Sequence, residues 1–392
     1  MREDNQVQIL LKMATAYRHT MPLHRFLASY YTQHKEMGSR DRRQFSSMLF
    51  NFYRLGKALP DCKIEERMAI GNFLCEQEAY PLLYHMLDKF SRVSAEDLSK
   101  SIDDKLQIVK TFYSDFQKND LFPFADLLSD SIDKDAFIRS FLSRPKVYIR
   151  VCKKYTSEVL AELNEKNILF QEVEGRPLSL AFEPGVQLDK LAAYKNGWFE
   201  IQDLSSQKTG DFIQASPGEY WWDCCAASGG KSLMLSETSE DLYLLVSDVR
   251  ETMLDNLKQR FNRAGIRKFE YMQADLSQTI KMKKSFDGII ADLPCSGSGT
   301  WGRTPEMIAG FDLYAPAQFA LKQKAILKNI VPFLKKNKSL IYITCSVFKA
   351  ENEEIAEFIS NELNMQMTHM EIIPGYQNAA DTMFVATFIK SV

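Results

Sequence analysis

Phe286-Asp287-Gly288-Ile289-Ile290-Ala291, continued by Asp292-Leu293-Pro294-Cys295-Ser296-Gly297-Ser298-Gly299, is an apolar run of strand length that ends in a carboxylate, a thiol and a turn of small residues. The apolar part reads as a buried strand. The polar part then lies at the strand's carboxyl end, the edge of an open α/β sheet where ligands bind. Glycine and serine let a flat substrate approach the backbone. Pro294 stiffens the turn and keeps Leu293 extended.

Outward from this stretch, strand and helix patterns alternate from Glu219 onward, which predicts a mostly parallel sheet. Strands are expected near 219–225, 242–248, 269–274, 285–292, 338–345, 366–373 and 383–389. The first runs through Tyr220-Trp221-Trp222-Asp223-Cys224-Cys225-Ala226-Ala227-Ser228-Gly229-Gly230-Lys231-Ser232, a strand, a small-residue turn and a helix start. Backbone N–H groups at such a helix start attract a carboxylate or phosphate. A phosphate loop would need glycine where Cys225 stands, and the dinucleotide fingerprint Gly-x-Gly-x-x-Gly is absent. A nucleoside-type ligand with an anionic end remains, and S-adenosylmethionine (SAM) qualifies through its amino-acid end.

Leu242-Tyr243-Leu244-Leu245-Val246-Ser247-Asp248 is a second strand ending in an acid. A carboxylate there commonly binds the two hydroxyls of a ribose; the other reading is a helix cap for Arg250 onward. The glycine turn about 20 residues upstream has the Rossmann spacing and favours ribose. Asp275, after the third strand, would sit near the adenine or be a surface turn residue. The basic residues between these acids, Lys258, Arg260, Arg263, Arg267 and Lys268, read mostly as a solvated helix face, with a minority touching RNA.

A second thiol stands in Ser339-Leu340-Ile341-Tyr342-Ile343-Thr344-Cys345-Ser346, again at the end of an apolar strand expected beside the one ending at Asp292. A buried cysteine is ordinarily a small hydrophobe. Two at adjacent strand ends, each followed by serine, can face one pocket. Cytosine chemistry gives them a use. Carbon-5 of cytosine is too weak a nucleophile to attack a sulfonium methyl, and a thiolate added to carbon-6 turns the ring into a reactive enamine. The attacking sulfur must be a thiolate. Asp292 is placed to stabilise the ring nitrogen, and a base must later remove the carbon-5 proton.

Composition narrows the rest. The chain has 392 residues, 45% apolar, and a net charge of −2, so two or three domains are expected and any nucleic-acid site must be a local basic patch. The opening Met1-Arg2-Glu3-Asp4-Asn5 is polar without a signal-peptide core, and no apolar run has membrane-span length. Seven cysteines, an odd count, then read as reduced thiols in the cytoplasm. His19, His24, His34, His85 and His369 all lie outside 223–345, so no metal and no histidine triad is expected there. Residues 1 to about 130 show helical spacing, with Ser39 as a helix cap. Arg40, Arg42, Arg43, Arg54 and Lys57 form either a phosphate grip or a solvated face. After Arg144-Pro145, strands are expected at 146–151, 168–170 and 178–182, with a helix at 157–163. The segment Gly197 to Gln207, with Trp198-Phe199 ahead of a polar run, reads as a domain seam.

Taken together these stretches resemble the Sun family of RNA 5-methylcytosine methyltransferases (RsmB-like, also called Fmu). Residues 223–232 resemble its SAM motif Asp-x-Cys-Ala-Ala-Pro-Gly-Gly-Lys-Thr, 292–299 its Asp-x-Pro-Cys-Ser-Gly motif, and 344–346 its Thr-Cys-Ser motif. Residues 197–207 resemble its Gly-x-Phe-x-x-Gln-Asp-x-x-Ser-Gln segment. The resemblance implies an α/β, Rossmann-like class I methyltransferase domain over 206–392. It also implies a small α+β (RRM-like) module over 131–205 and an all-α NusB-like RNA-binding domain over 1–130. It implies Cys345 as the nucleophile, Cys295 in product release and Asp292 at the polar edge of cytosine. SAM would be held by Cys225, Ala226, Ala227, Ser228, Gly229, Gly230 and Lys231, with Asp248, Arg250, Asp275 and Asp292. The expected partner is RNA, 16S ribosomal RNA foremost, with no DNA and no membrane, and the chain is expected to be a monomer. A tRNA methyltransferase and a non-catalytic RNA-binding assembly factor are the alternatives. Three departures stand out: Ser228 where the family usually has proline, Ser298 for a common threonine, and Asp381-Thr382-Met383-Phe384 where Asp-Gly-Phe-Phe is usual. Gly302 to Glu306 retains part of an Arg-x-Pro-Glu run.

Overall fold

The early apolar repeats form helices, as their spacing predicts. The computed structural model describes residues 3–239 and 241–391, so Met1 and Arg2 of the polar start lie outside the described residues. Six helices cover Glu3–Ala16, Leu23–Gln33, Ser39–Arg54, Ile64–Cys75, Pro81–Phe90 and Ile102–Phe112. Val7, Leu10 and Met13 are buried at helical spacing. This part of the chain, up to Asp126, forms one compact unit with Asp133–Arg144 and Trp301–Leu313. Phe122, Phe141, Trp301 and Phe311 form an aromatic cluster inside it, with Phe122 5.4 Å from Phe141 and Trp301 4.6 Å from Phe311. Glu306, of Arg303-Thr304-Pro305-Glu306, accepts the Leu23 N–H (2.9 Å) at the start of the second helix.

Two expectations change here. The cap position of the third helix is Gly38, Ser39 being its first residue, and no side chain caps it. Arg54 is not available to phosphates. It is buried, donates to the Phe141 carbonyl (2.8 Å), and burial lowers its guanidinium to about 10. Arg42 is partly engaged as well, through its Nε bond to the Met37 carbonyl (2.8 Å). Arg40, Arg43 and Lys57 remain exposed.

The second unit contains Leu127–Ile132, Pro145–Thr300 and the chain from Tyr314 onward. Its first sheet is small and antiparallel. The strands are β1 (Val147–Val151), β2 (Gln171–Val173), β3 (Arg176–Phe182) and β4 (Phe199–Ile201), in the order β2-β3-β1-β4, with the helix Thr156–Glu165 between β1 and β2. Ile168-Leu169-Phe170 is not a strand. Ile168 and Phe170 pack against the core of this sheet and Leu169 is 88% exposed, but no strand pairs with the run, and pairing starts at Gln171. The expected seam at Trp198-Phe199 is instead β4, whose Phe199 joins the core of this sheet.

The large sheet contains β5 (Tyr220–Asp223), β6 (Tyr243–Asp248), β7 (Phe269–Gln273), β8 (Phe286–Asp292), β9 (Leu334–Thr344), β10 (Met365–Ile373) and β11 (Met383–Lys390). The order is β10-β11-β9-β8-β5-β6-β7, parallel from β9 to β7, with β11 and β10 antiparallel at the other edge. This is the expected Rossmann-like sheet. Trp221 pairs in register with Gly288, and a Cβ on Gly288 would lie 2.5 Å from the Trp221 ring. The glycine in the middle of β8 is thus the space that lets an indole fit between neighbouring strands. Apolar helices bury both faces, so the parallel strands read as near-continuous hydrophobic runs.

Candidate active site

Parallel pairing brings the carboxyl ends of β5, β6, β8 and β9 to one edge of the sheet. A cavity of about 480 Å³ opens there. Cys225, Ala227, Asp248, Arg250, Asp275, Asp292, Cys295 and Cys345 all line it. Ala226, Ser228, Gly229, Gly230 and Lys231 do not line it and stand behind the wall.

The two sulfurs meet. Cys295 Sγ and Cys345 Sγ are 3.4 Å apart, close enough for an S–H···S hydrogen bond. That bond, followed by burial, pushes the Cys295 thiol well above its ordinary range. The loops that carry the sulfurs are tied to each other. Gly299 N–H donates to the Cys345 carbonyl (2.9 Å), and Thr382 N–H donates to the Gly299 carbonyl (2.9 Å). A Cβ on Gly299 would lie 2.0 Å from the Thr382 carbonyl oxygen, so only glycine fits. The divergent segment Asp381–Phe384 thus packs on the Pro-Cys loop, with Phe384 paired to Thr344.

Beneath the sulfurs lies a residue that sequence reasoning missed. Glu351 is fully buried and takes the Ser296 N–H (2.7 Å), the Ser296 hydroxyl (2.6 Å) and the Ser346 hydroxyl. Burial raises its carboxyl despite the serine bonds that oppose the shift. Ser298 joins the same network, bonding Ser346 (3.2 Å) and accepting the Val347 N–H (2.9 Å). The serine that follows each cysteine thus reports to one carboxylate. The signal available was an acid a few residues after Thr-Cys-Ser.

On the other wall, Asp248 Oδ1 accepts the Arg250 N–H (2.9 Å) and Nε (3.0 Å), and Oδ2 accepts Arg250 Nη2 (3.1 Å) and the Ala227 N–H (3.1 Å). Burial works to raise this carboxyl, and the Arg250 bonds outweigh it and hold it low. Both sequence readings of Asp248 therefore have a physical basis. It bonds the N–H just ahead of the helix Glu251–Ala264, and it faces the cavity. The Arg250 side chain that makes these bonds is 55% exposed. Ala227 has φ +45°, a left-handed conformation that costs a non-glycine residue free energy, and the Asp248 bond helps hold it. Asp275 is exposed, its carboxylate accepting the Ser277 N–H and hydroxyl, so it is at once a turn residue and part of the wall.

Lys231 reaches from behind the turn to Asp292 (3.0 Å) and to the Ser206 hydroxyl (2.9 Å). Arg260 and Arg263 are not on a solvated face, because both pair with buried Glu200 of β4 (2.6 and 3.2 Å). Lys258 and Lys268 do pair at the surface.

SAM suits this donor set. An acid at the end of β6 matches ribose. Val249, Leu276, Pro294 and Ile326 give apolar walls for an adenine, and the carboxylates Asp248 and Asp292 favour a sulfonium. Among the described residues no cluster of histidines, cysteines and acids could hold a metal ion, and no helix is long and apolar enough to cross a membrane.

Residues 212–389 match the family described as 16S rRNA methyltransferase RsmB/F. Over this stretch the chain is similar to that family. Relatives named ribosomal RNA small subunit methyltransferase B include one from Klebsiella pneumoniae, 30% identical over 259 residues (63% of this chain, 60% of the relative). Another, from Proteus mirabilis, is 28% identical over 260 residues (65% and 62%). The chain thus spans about 60% of the curated relatives it matches. Solved structures share the fold of this chain. That of PH0851 is 18% identical and covers 98% of both chains with a TM-score of 0.71. That of NSun6 from Pyrococcus horikoshii with SFG is 15% identical and covers 69% of this chain and 97% of its own, with a TM-score of 0.62.

Proposed function

We propose that the protein transfers a methyl group from SAM to carbon-5 of a cytosine in RNA, with small-subunit (16S) ribosomal RNA as substrate, acting as a cytoplasmic monomer. The observation that carries this reading is the 3.4 Å approach of Cys295 and Cys345 at the wall of the cavity. The names of the relatives, all small-subunit ribosomal RNA methyltransferases, support the RNA substrate. The NSun6 neighbour holds the SAM analogue SFG, which supports the cofactor.

When bound, SAM supplies an electrophilic methyl group. The target base, unstacked at a cost of a few kcal/mol unless already single-stranded, enters beside the sulfurs. Cys345 adds as thiolate to carbon-6, and the electron pair of the 5,6 double bond moves towards the ring nitrogen. Asp292 contacts the polar edge, and Lys231, paired with it, supplies the positive charge that balances the negative charge building on the ring nitrogen. Carbon-5 becomes nucleophilic and takes the methyl. Release then breaks the bond between carbon-6 and Cys345. Cys295 passes its proton to the departing sulfur, and the proton lost from carbon-5 replaces it. The RNA is delivered by the helical unit and the small antiparallel module.

Methylation of ribosomal RNA read by bisulfite sequencing tests this. The parent chain should leave 5-methylcytosine. Cys345→Ala should lose at least about 10³-fold in turnover while still binding SAM, because the nucleophile activates the base and not the cofactor. Cys295→Ala should accumulate an RNA adduct that survives denaturation. Normal turnover by Cys345→Ala, or a product other than 5-methylcytosine, overturns the reading.

A further inference from the structure

Ser228 departs from the proline usual at its place in the cofactor turn, and the structure contains a substitute for that ring. Arg260, in the helix Glu251–Ala264, donates through Nη1 to the Ser228 hydroxyl (3.1 Å) and to the Ser228 carbonyl (3.3 Å). Its Nε donates to Glu200 of β4 (2.6 Å). Glu200 is buried and also takes Arg263 Nη2. A buried carboxylate must stay paired, so the base of this fork is fixed. Its free end grips the turn by side chain and backbone together. The grip is close. A Cβ on Gly230, two residues on, would lie 3.7 Å from Arg260 Nη1. A proline would set φ at this position by its own ring; a serine leaves φ free. Here the stiffness comes from a guanidinium that belongs to another element.

On the reading of the cavity as a SAM site, we infer that Arg260 is a positioning residue for the cofactor turn, clamping it through Ser228 in place of a proline. Glu200 holds the clamp. Arginine is required because its planar fork spans two acceptors, which a lysine ammonium does not do.

A double-mutant cycle on the full chain, read by calorimetric titration with SAM, tests the clamp. Arg260→Ala should weaken SAM about tenfold, the scale of a lost charge-assisted hydrogen bond. Arg260→Lys should recover less than half of that loss. In the Ser228→Pro background, adding Arg260→Ala should cost less than about twofold in SAM affinity. If Ser228→Pro does not fold, Ser228→Ala serves: the cost of Arg260→Ala should then shrink in its presence. RNA affinity, read by gel shift, should not move in Arg260→Ala. An equal loss of SAM affinity in the Ser228 and Ser228→Pro backgrounds marks general support of the fold and overturns the clamp. So does a loss of RNA binding with SAM binding intact. A parent chain that binds SAM while Arg260→Ala binds it equally sinks the clamp alone; a parent that does not bind SAM sinks the reading of the cavity and the clamp with it.

Discussion

The thiol wall and the cofactor turn of this cavity are stabilised in different ways. At the thiol wall one buried carboxylate gathers both sulfur-bearing loops: Glu351 takes Ser296 and Ser346, the serines that follow the two cysteines. At the cofactor turn separate side chains each hold one point. Arg260 reaches Ser228, and Asp248 reaches Ala227. One wall is a network closed on a single carboxylate, and the other is a backbone loop pinned by separate side chains. A wall of the first kind should fail as a whole when its centre is removed. A wall of the second kind should lose its function by degrees.

The largest contrast should come from Glu351→Ala. It removes three bonds that hold both sulfur-bearing loops, and small misplacements of reacting groups cost about 10²-fold in rate. We expect kcat to fall by about that factor with SAM affinity unchanged, and Glu351→Gln, which keeps the acceptor for the serines, to recover part of it. SAM affinity falling in step with kcat would show that the two walls are not independent. The reciprocal variant is Asp248→Ala. It should weaken SAM binding about tenfold by calorimetry, while the Cys345 nucleophile still forms adducts at saturating SAM. Unchanged SAM affinity would refute the ribose assignment.

The same contrast explains what was legible in the letters. Seven strands of the large sheet fell within a few residues of their expected places, because each is a short run bounded by turns and the central ones are near-continuously apolar and buried. The two thiols were legible for the same reason: a strand end fixes where the next residue points. Ile168-Leu169-Phe170 misled because it packs Ile168 and Phe170 on the core as a strand would, yet has no neighbouring strand to pair with before Gln171. Glu351 was hidden among Glu353 and Glu354, which read as an ordinary acidic helix start. Arg54 and Arg260 were hidden because a charged residue in a helix reads as solvated until its tertiary partner is known. For Arg54 that partner is the Phe141 carbonyl, and for Arg260 it is Glu200.

The smallest expected effect separates the two buried acids. Glu351 has three donors, whereas Asp223, at the end of β5 under the cofactor turn, takes only the Ser232 hydroxyl (2.6 Å) and has Oδ1 buried without a partner. Burial raises the Asp223 carboxyl to about 7, against the Ser232 bond that lowers it. The folded state therefore holds this proton more tightly than the unfolded chain does. The stability that follows is full below the unfolded value near 3.8 and is lost as pH rises through about 7. Asp223→Asn keeps an acceptor for Ser232 and cannot ionise. Its melting temperature relative to the parent should accordingly rise by a few degrees between pH 5 and pH 8.5. A difference that stays flat with pH would mean that the cofactor turn rests on an ionised carboxylate after all. The two walls would then differ in whether their braces converge on one group and not in how well their buried acids are satisfied.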